Sequence, residues 1–335
     1  MRSFVLALLA VVAASAPAHA DLDAAILDAK VKPLAEKTAG GRLGVGVLDV
    51  ASGQTWYLDQ SHLFPMQSVF KAPLGVAVMQ AVDRHRLALE QPVTIARSDL
   101  AMQWSPIAKE FGTADKKVLT VKDLVKAAVS FSDNTAADVL MRLVGGPKAV
   151  TAALVDNGIS GIRVDRYERE LQPDVVGVPP YVAGDVIDQK EWEGLRAAMP
   201  VELKKASLKA YLEDDPRDTA TPEGALAFLA ALDKGALISP VSTAMLIRLM
   251  TDTPSGPNRI KAGLPQGATL AHKTGGGPDV EGVNSASNDI GIATLPGGRK
   301  VIIAVFLAGS TAPEAERDAL FADVARAVVE AVRYR

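Results

Sequence analysis

Apolar residues at Leu22, Ala25, Ile26, Ala29 and Val31 recur at helical spacing and stop before Gly40-Gly41, which predicts one helix early in the chain. Two β-rich runs follow, Leu43 to Val50 and Gln54 to Leu58, flanking Ala51-Ser52-Gly53, and read as a hairpin. Gly41, Gly44 and Gly46 lie in or at the edge of the first run rather than between a strand and a helix, so they do not form a nucleotide-binding loop. From about Phe64 to Ala231 the period is helical, broken by Pro and Gly, with a capping box at Thr120-Val-Lys-Asp123 ahead of Leu124, Ala127 and Ala128. Strands return at Thr269 to Thr274, Asp289 to Leu295 and Lys300 to Ala308, and a helix from about Pro313 to Val332 closes the pattern.

Helix, strands, helical stretch, strands, helix is satisfied by an α+β fold: an antiparallel sheet built from both ends of the chain, helices packed on it, and an inserted all-helical lobe. The expected parts are an α/β lobe from 21–63 and 232–335 and a helical lobe from 64–231.

Residues 1–20 place Arg2 before an apolar run and end in Ala18-His19-Ala20, the small-x-small pattern of a signal-peptidase site, so export to the periplasm or the medium and a mature start at Asp21 are expected. The run is too short to span a bilayer comfortably, and no stable membrane anchor is expected. Removing it leaves 35 basic against 39 acidic residues, net −4, a balance that predicts no nucleic-acid partner. With no cysteine, disulfides, thiol nucleophiles and thiolate metal sites are excluded, and stability rests on packing and polar contacts. His62, His85 and His272 lie far apart without metal-ligand spacing, so neither metal nor other cofactor is expected. Nothing in the pattern obliges association, and a monomer is expected.

Four short features carry candidate chemistry. Ser68-Val-Phe-Lys71 puts a hydroxyl and an amine three apart at a helix start, on one face, where the amine can take the hydroxyl proton. Ser132-Asp133-Asn134 falls between two helical runs. It suits an N-cap, and equally a proton relay (Ser132) beside an amide that grips a substrate (Asn134). His272-Lys273-Thr274-Gly275-Gly276-Gly277 ends a strand in glycines that allow close approach to the backbone; it suits a hairpin turn, or a cation and a hydroxyl holding a carboxylate. Arg166-Tyr-Glu168-Arg-Glu170-Leu-Gln172 lies in a Pro- and Gly-rich stretch read as a long loop, where Glu168 could activate water.

The order of these motifs resembles the class A serine β-lactamases and their penicillin-binding relatives, over essentially the whole chain after residue 20. Arg166-x-Glu168-x-Glu170-Leu171 is similar to the family's omega loop, and Asp215-Pro-Arg-Asp218-Thr to its exit, so the resemblance implies an Arg166–Asp218 ion pair closing it. It also implies Ser68 as nucleophile, Lys71 as its partner, Ser132 as proton relay and Glu168 as the base that activates the hydrolytic water. Asn134 would contact the acylamide of a small β-lactam substrate, the N–H groups of Ser68 and Gly276 would form the oxyanion hole, and Lys273, Thr274 and Arg259 would hold the substrate carboxylate. Trp104 would form an aromatic wall, and Gln172 would stand where most members hold the deacylation water with Asn.

Three departures stand out. Gln172 replaces Asn; Arg169 replaces the Pro that many members carry after the glutamate, where a cis bond without Pro would cost about 2.5–4 kcal/mol; and the loop is lengthened by an insert at about 173–214. Trp192 and a helical pattern in the insert predict a small subdomain at the pocket rim that reshapes substrate access. Two alternatives share the motifs, a D-Ala-D-Ala peptidase or penicillin-binding protein and a sensor that is acylated without turnover. A Ser-His-Asp esterase is disfavoured, with no G-x-S-x-G elbow present.

Overall fold

A computed structural model describes residues 22–101, 103–179 and 189–333, so the proposed signal segment lies outside the described residues. Its centre is a five-stranded antiparallel sheet of β1 (Arg42–Asp49), β2 (Thr55–Leu58), β3 (Thr269–Gly276), β4 (Ser287–Thr294) and β5 (Lys300–Ala308), in the order β2-β1-β5-β4-β3. Val45 of β1 lies opposite Val305 of β5, and Lys273 of β3 opposite Ile290 of β4. The sheet thus joins the two ends of the chain, as the pattern predicts.

Helix α1 (Ala24–Lys30) precedes the sheet. After the β1–β2 hairpin the chain runs through α2 (Lys71–Asp83), α3 (Val121–Ser130), α4 (Asn134–Val144), α5 (Glu168–Val176), α6 (Gln189–Ala198) and α7 (Val201–Glu213). It returns with α8 (Pro222–Asp233), then β3 to β5, then α9 (Glu314–Arg333).

Alternation along the strands decides what packs where. Leu43, Val45 and Val47 of β1, with Val301, Ile303, Val305 and Leu307 of β5, join Leu27 of α1 and Phe321, Val324 and Val328 of α9 in one core on the outer face. Ile302, Ala304 and Phe306 of β5 and Ile290 and Ile292 of β4 face the other way, into a second core shared with the helices α2 to α4. On this face β1 contributes glycines because neighbours come close. A Cβ on Gly44 would sit 2.2 Å from Phe64 Cε2, and one on Gly46 would sit 3.0 Å from Leu226 of α8. Helix α8, expected among the helical lobe, therefore lies directly on the sheet.

Thr120 and Asp123 form the predicted capping box at the start of α3. The stretch expected to be a loop from Arg166 to Gln172 is different: from Glu168 onward it is the helix α5. The Glu170 carboxylate accepts the Tyr167 N–H at 2.9 Å, so charge that reads as a solvated loop instead caps a helix start. The insert forms α6 and α7, and Trp192, Leu208 and Tyr211 are buried in the same core as the helical lobe. No helix among the described residues is long and apolar enough to cross a membrane.

Gly44→Ala should lower the unfolding free energy by about 1–3 kcal/mol, the usual cost of overpacking a filled core. Urea unfolding measures it, and a variant as stable as the parent would contradict the packing of β1 against Phe64.

Candidate active site

Ser68 lies in the 3-10 turn Gln67–Phe70 that leads into α2. Two contacts press this turn against the sheet. Asn288 Nδ2 of β4 donates to the carbonyls of Pro65 and Met66 at 2.8 and 2.9 Å, and Gly275 of β3 has no room for a side chain, since a Cβ would lie 2.4 Å from the Met66 oxygen. Gln67 takes φ +46, a left-handed conformation that strains a residue with a side chain.

One turn later Lys71 is wholly buried, and its ammonium gathers the motifs. Nζ lies 2.8 Å from Ser68 Oγ, 2.8 Å from the Ser132 carbonyl, 2.6 Å from Asn134 Oδ1 and 2.8 Å from Glu168 Oε1. The side chains of Lys71 and Glu168 are both 0% exposed. Helix α2 supplies the lysine, the start of α4 the amide, and the start of α5 the carboxylate. Ser132 stands between two ammonium groups, because Lys273 Nζ donates to its Oγ at 3.0 Å and to the Thr274 carbonyl at 2.9 Å. Burial, and then the nearby Lys71 charge, hold Lys273 well below the usual ammonium range. Ser132 itself has φ +60, held by its neighbour. Asp133 caps α4 through the Ala136 N–H and also accepts from Ile107 N–H and Ser105 Oγ. The N-cap reading therefore falls on Asp133 and does not compete with a relay role for its neighbour Ser132.

A family profile described as the beta-lactamase enzyme family matches residues 26–332. The chain belongs to this family. It is 32% identical over 285 residues to the extended-spectrum beta-lactamase PER-1 of Pseudomonas aeruginosa, covering 85% of this chain and 80% of that protein. To the beta-lactamase VEB-1 of Pseudomonas aeruginosa it is 29% identical over 291 residues, covering 87% and 85%. Among solved structures, an ancestral class A beta-lactamase of Gram-negative bacteria superposes with a TM-score of 0.71 at 34% identity, covering 90% of this chain and 99% of that one. A beta-lactamase from Chitinophaga pinensis gives 0.74 at 29% identity, covering 91% and 98%. These relatives place the chain in the class A branch of the β-lactamases.

In this β-lactamase the stretch from Arg166 to Asp218 is closed at its neck by Arg166, whose guanidinium meets Asp218 at 2.6 Å, Asp174 at 2.8 Å and Asp215 at 3.1 Å. Asp218 also accepts the N–H groups of Asp165 and Arg166. The Arg166–Asp218 pair is as the resemblance implies, with two further carboxylates. Gln172 Nε2 donates to Glu168 Oε2 at 2.8 Å and to Gln67 Oε1 at 3.0 Å, so this amide is bonded to the candidate base. No cis peptide occurs among the described residues, and Arg169 follows Glu168 in the ordinary trans form.

The remaining candidates are spread around this centre. Trp104 is 54% exposed, its indole N–H donating to the Phe131 carbonyl at 2.8 Å and its ring under the Lys109 ammonium. Gly276 ends β3 opposite Ser287 with open space above its α-carbon, which leaves its backbone approachable. Thr274 is nearly buried beside Gly256, next to Arg259. Arg259 is held by protein groups: Nε meets Asp318 at 2.8 Å, and Nη1 donates to the Gly275 and Asn288 carbonyls. His272 alternates with Lys273 along β3 and so lies on the opposite face, paired with Asp289. Among the described residues no cluster of three or more His, Asp or Glu side chains could hold a metal ion.

Four site residues lie outside the motifs: Gln67, Asn288, Tyr211 and Asp138. Asp138 is four residues after Asn134, one turn along the same face of α4, and that spacing is the signal that could have found it. It accepts the backbone N–H of Glu168 at 2.6 Å and that of Arg169 at 3.1 Å, anchoring the helix start that carries the candidate base. Burial, helped by the Glu168 charge, pushes its carboxyl up to about 7.

A carboxyl raised on folding binds its proton more tightly folded than unfolded. Asp138 therefore contributes less stability as pH climbs from about 4, its unfolded value, to about 7, and a constant amount above that. The stability of the parent minus that of Asp138→Asn should fall across this window in urea titrations. A difference that does not vary with pH would contradict the assignment.

Proposed function

We propose that this chain is an exported serine β-lactamase that opens the β-lactam amide through an ester on Ser68 and hydrolyses that ester with water activated by Glu168. The observation that carries the reading is the buried chain of contacts Ser68 Oγ, Lys71 Nζ, Glu168 Oε1, each link 2.8 Å. A hydroxyl alone is a weak nucleophile, and here its proton has a route into a lysine–carboxylate pair shielded from water.

In acylation, Ser68 Oγ attacks the lactam carbonyl carbon as its proton passes into the Lys71–Glu168 pair, which acts as one unit. The N–H groups of Ser68 and Gly276 receive the developing oxyanion, stabilisation of the kind that contributes a few kcal/mol to the barrier. The ring C–N bond then breaks and Ser132 Oγ, bonded to Lys273, delivers its proton to the leaving nitrogen and takes in its place the proton held by the Lys71–Glu168 pair, so that Glu168 is a carboxylate again before deacylation. Lys273, Thr274 and Arg259 face the substrate carboxylate, Arg259 from its anchored position, and Asn134 and Trp104 flank the acylamide side. In deacylation Glu168 takes a proton from water, the water oxygen attacks the ester carbonyl, and Ser68 leaves and regains its proton. Gln172, bonded to Glu168 Oε2, keeps an amide where the water must be oriented.

Export rests on the sequence of residues 1–20. The insert meets the hairpin turn that follows β3, with Lys204 of α7 3.6 Å from Glu281 and with Glu193, Arg196 and Asp279 lining a cleft between them, which supports a place for it at the rim of the site. A charged cleft there supports a role in admitting substrate side chains.

Glu168→Gln keeps the shape of the site but removes the base. Intact-mass spectrometry should find it carrying one β-lactam adduct on Ser68, while parent enzyme quenched after it has consumed the substrate is free. A variant with undiminished turnover would remove Glu168 from the mechanism. A parent that also stays acylated would favour the penicillin-binding or sensor reading.

A further inference from the structure

The insert does more than border the site, because one of its side chains enters the hydrogen-bond network of Glu168. Tyr211 of α7 is 4% exposed, and its hydroxyl oxygen accepts from Gln67 Nε2 at 2.7 Å. Gln67 is itself 0% exposed and immediately precedes the nucleophile. Gln67 Oε1 accepts from Gln172 Nε2, which also donates to Glu168 Oε2. Gly277, just beyond β3, lies close by: a Cβ there would meet Ser285 Oγ at 2.1 Å and Gln67 Nε2 at 3.1 Å.

The direction of each bond is fixed by the chemistry at the end of the chain. A carboxylate oxygen only accepts, so the Gln172 amide must turn its NH2 toward Glu168. The same NH2 meets Gln67, so Gln67 must present its oxygen there and its NH2 on the far side, where it meets Tyr211. Without an acceptor at that end Gln67 would bury an unpaired donor, and turning its amide over would set NH2 against NH2 at Gln172.

We propose that Tyr211 and Gln67 are positioning residues through which the inserted helix sets the orientation of the Gln172 amide and of the Glu168 carboxylate for deacylation. This rests on the role given to Glu168 above. The lengthened omega region thereby supplies, from an added helix, an acceptor that keeps the network in register. Gln67 also ties that network to the strained turn at Ser68.

Tyr211→Phe removes the acceptor and keeps the ring. The test uses a β-lactam whose acyl-enzyme accumulates in the parent during steady state, so that deacylation limits kcat. Losing one net hydrogen bond of this kind should slow deacylation about two- to tenfold. kcat and KM should then fall together, kcat/KM should stay unchanged, and the acylated fraction seen by mass spectrometry should rise. Gln67→Met, which keeps bulk and removes the amide, should act in the same direction, with the double variant no worse than Gln67→Met alone. Should Tyr211→Phe not fold, Gln67→Met carries the same expectation. Unchanged kcat and KM, or a fall in kcat at constant KM as a loss of active protein would give, would overturn the relay. If Glu168→Gln still traps the acyl-enzyme in that case, the proposed function stands without it; if Glu168→Gln turns over normally, both fall.

Discussion

The ion pair of Lys71 and Glu168 is the constraint on which the rest of the site depends. Two charged groups with no exposed side-chain surface are expensive to remove from water, and losing one partner of such a pair typically costs about 3–5 kcal/mol because the other is left buried. The pair is tolerable because four acceptor oxygens surround the Lys71 ammonium: it donates to those of Ser68, Ser132 and Asn134, and that of Glu168 lies 2.8 Å away as its counter-charge. Those acceptors come from three helix starts and the turn between α3 and α4. The helical part of the molecule must therefore assemble correctly for the pair to exist, and the geometry that satisfies the lysine also brings the reactive groups together.

Lys71 and Lys273 divide the work by surroundings. Lys71 faces a carboxylate, whereas burial and the Lys71 charge weaken the hold of Lys273 on its proton. Ser132, touching one through its carbonyl and the other through its hydroxyl, links the two halves of the site. The sheet supplies the rigid side. Asn288 and Gly275 fix the backbone before Ser68, so Ser68 rests on β3 and β4 while Glu168 is brought in by the start of α5.

Much of this was legible in the sequence. Strand alternation located β1 and the three later strands, and the order of the short motifs placed Ser68, Lys71, Ser132, Asn134 and Lys273 in one site before any geometry was known. The helix α5 was missed because its residues are charged and flanked by Pro and Gly, which reads as loop. What forms it is a cap from Glu170 and an anchor from Asp138, a residue distant in sequence. Gln67 and Tyr211 carry no motif at all. They are 144 residues apart, and only the packing of α7 against the helical lobe brings them together. Arg259 lies near Thr274 as the resemblance implies, but its bonds to Asp318 and to two sheet carbonyls could not be read from the chain.

Acylation of Ser68 and its release are separated by a progress curve. Purified enzyme without residues 1–20 is mixed with an excess of a chromogenic cephalosporin, and absorbance is followed well past one equivalent. Continued linear turnover is the expected result. A burst of one equivalent that then stalls would contradict it, because Ser68 would be captured without Glu168 freeing it.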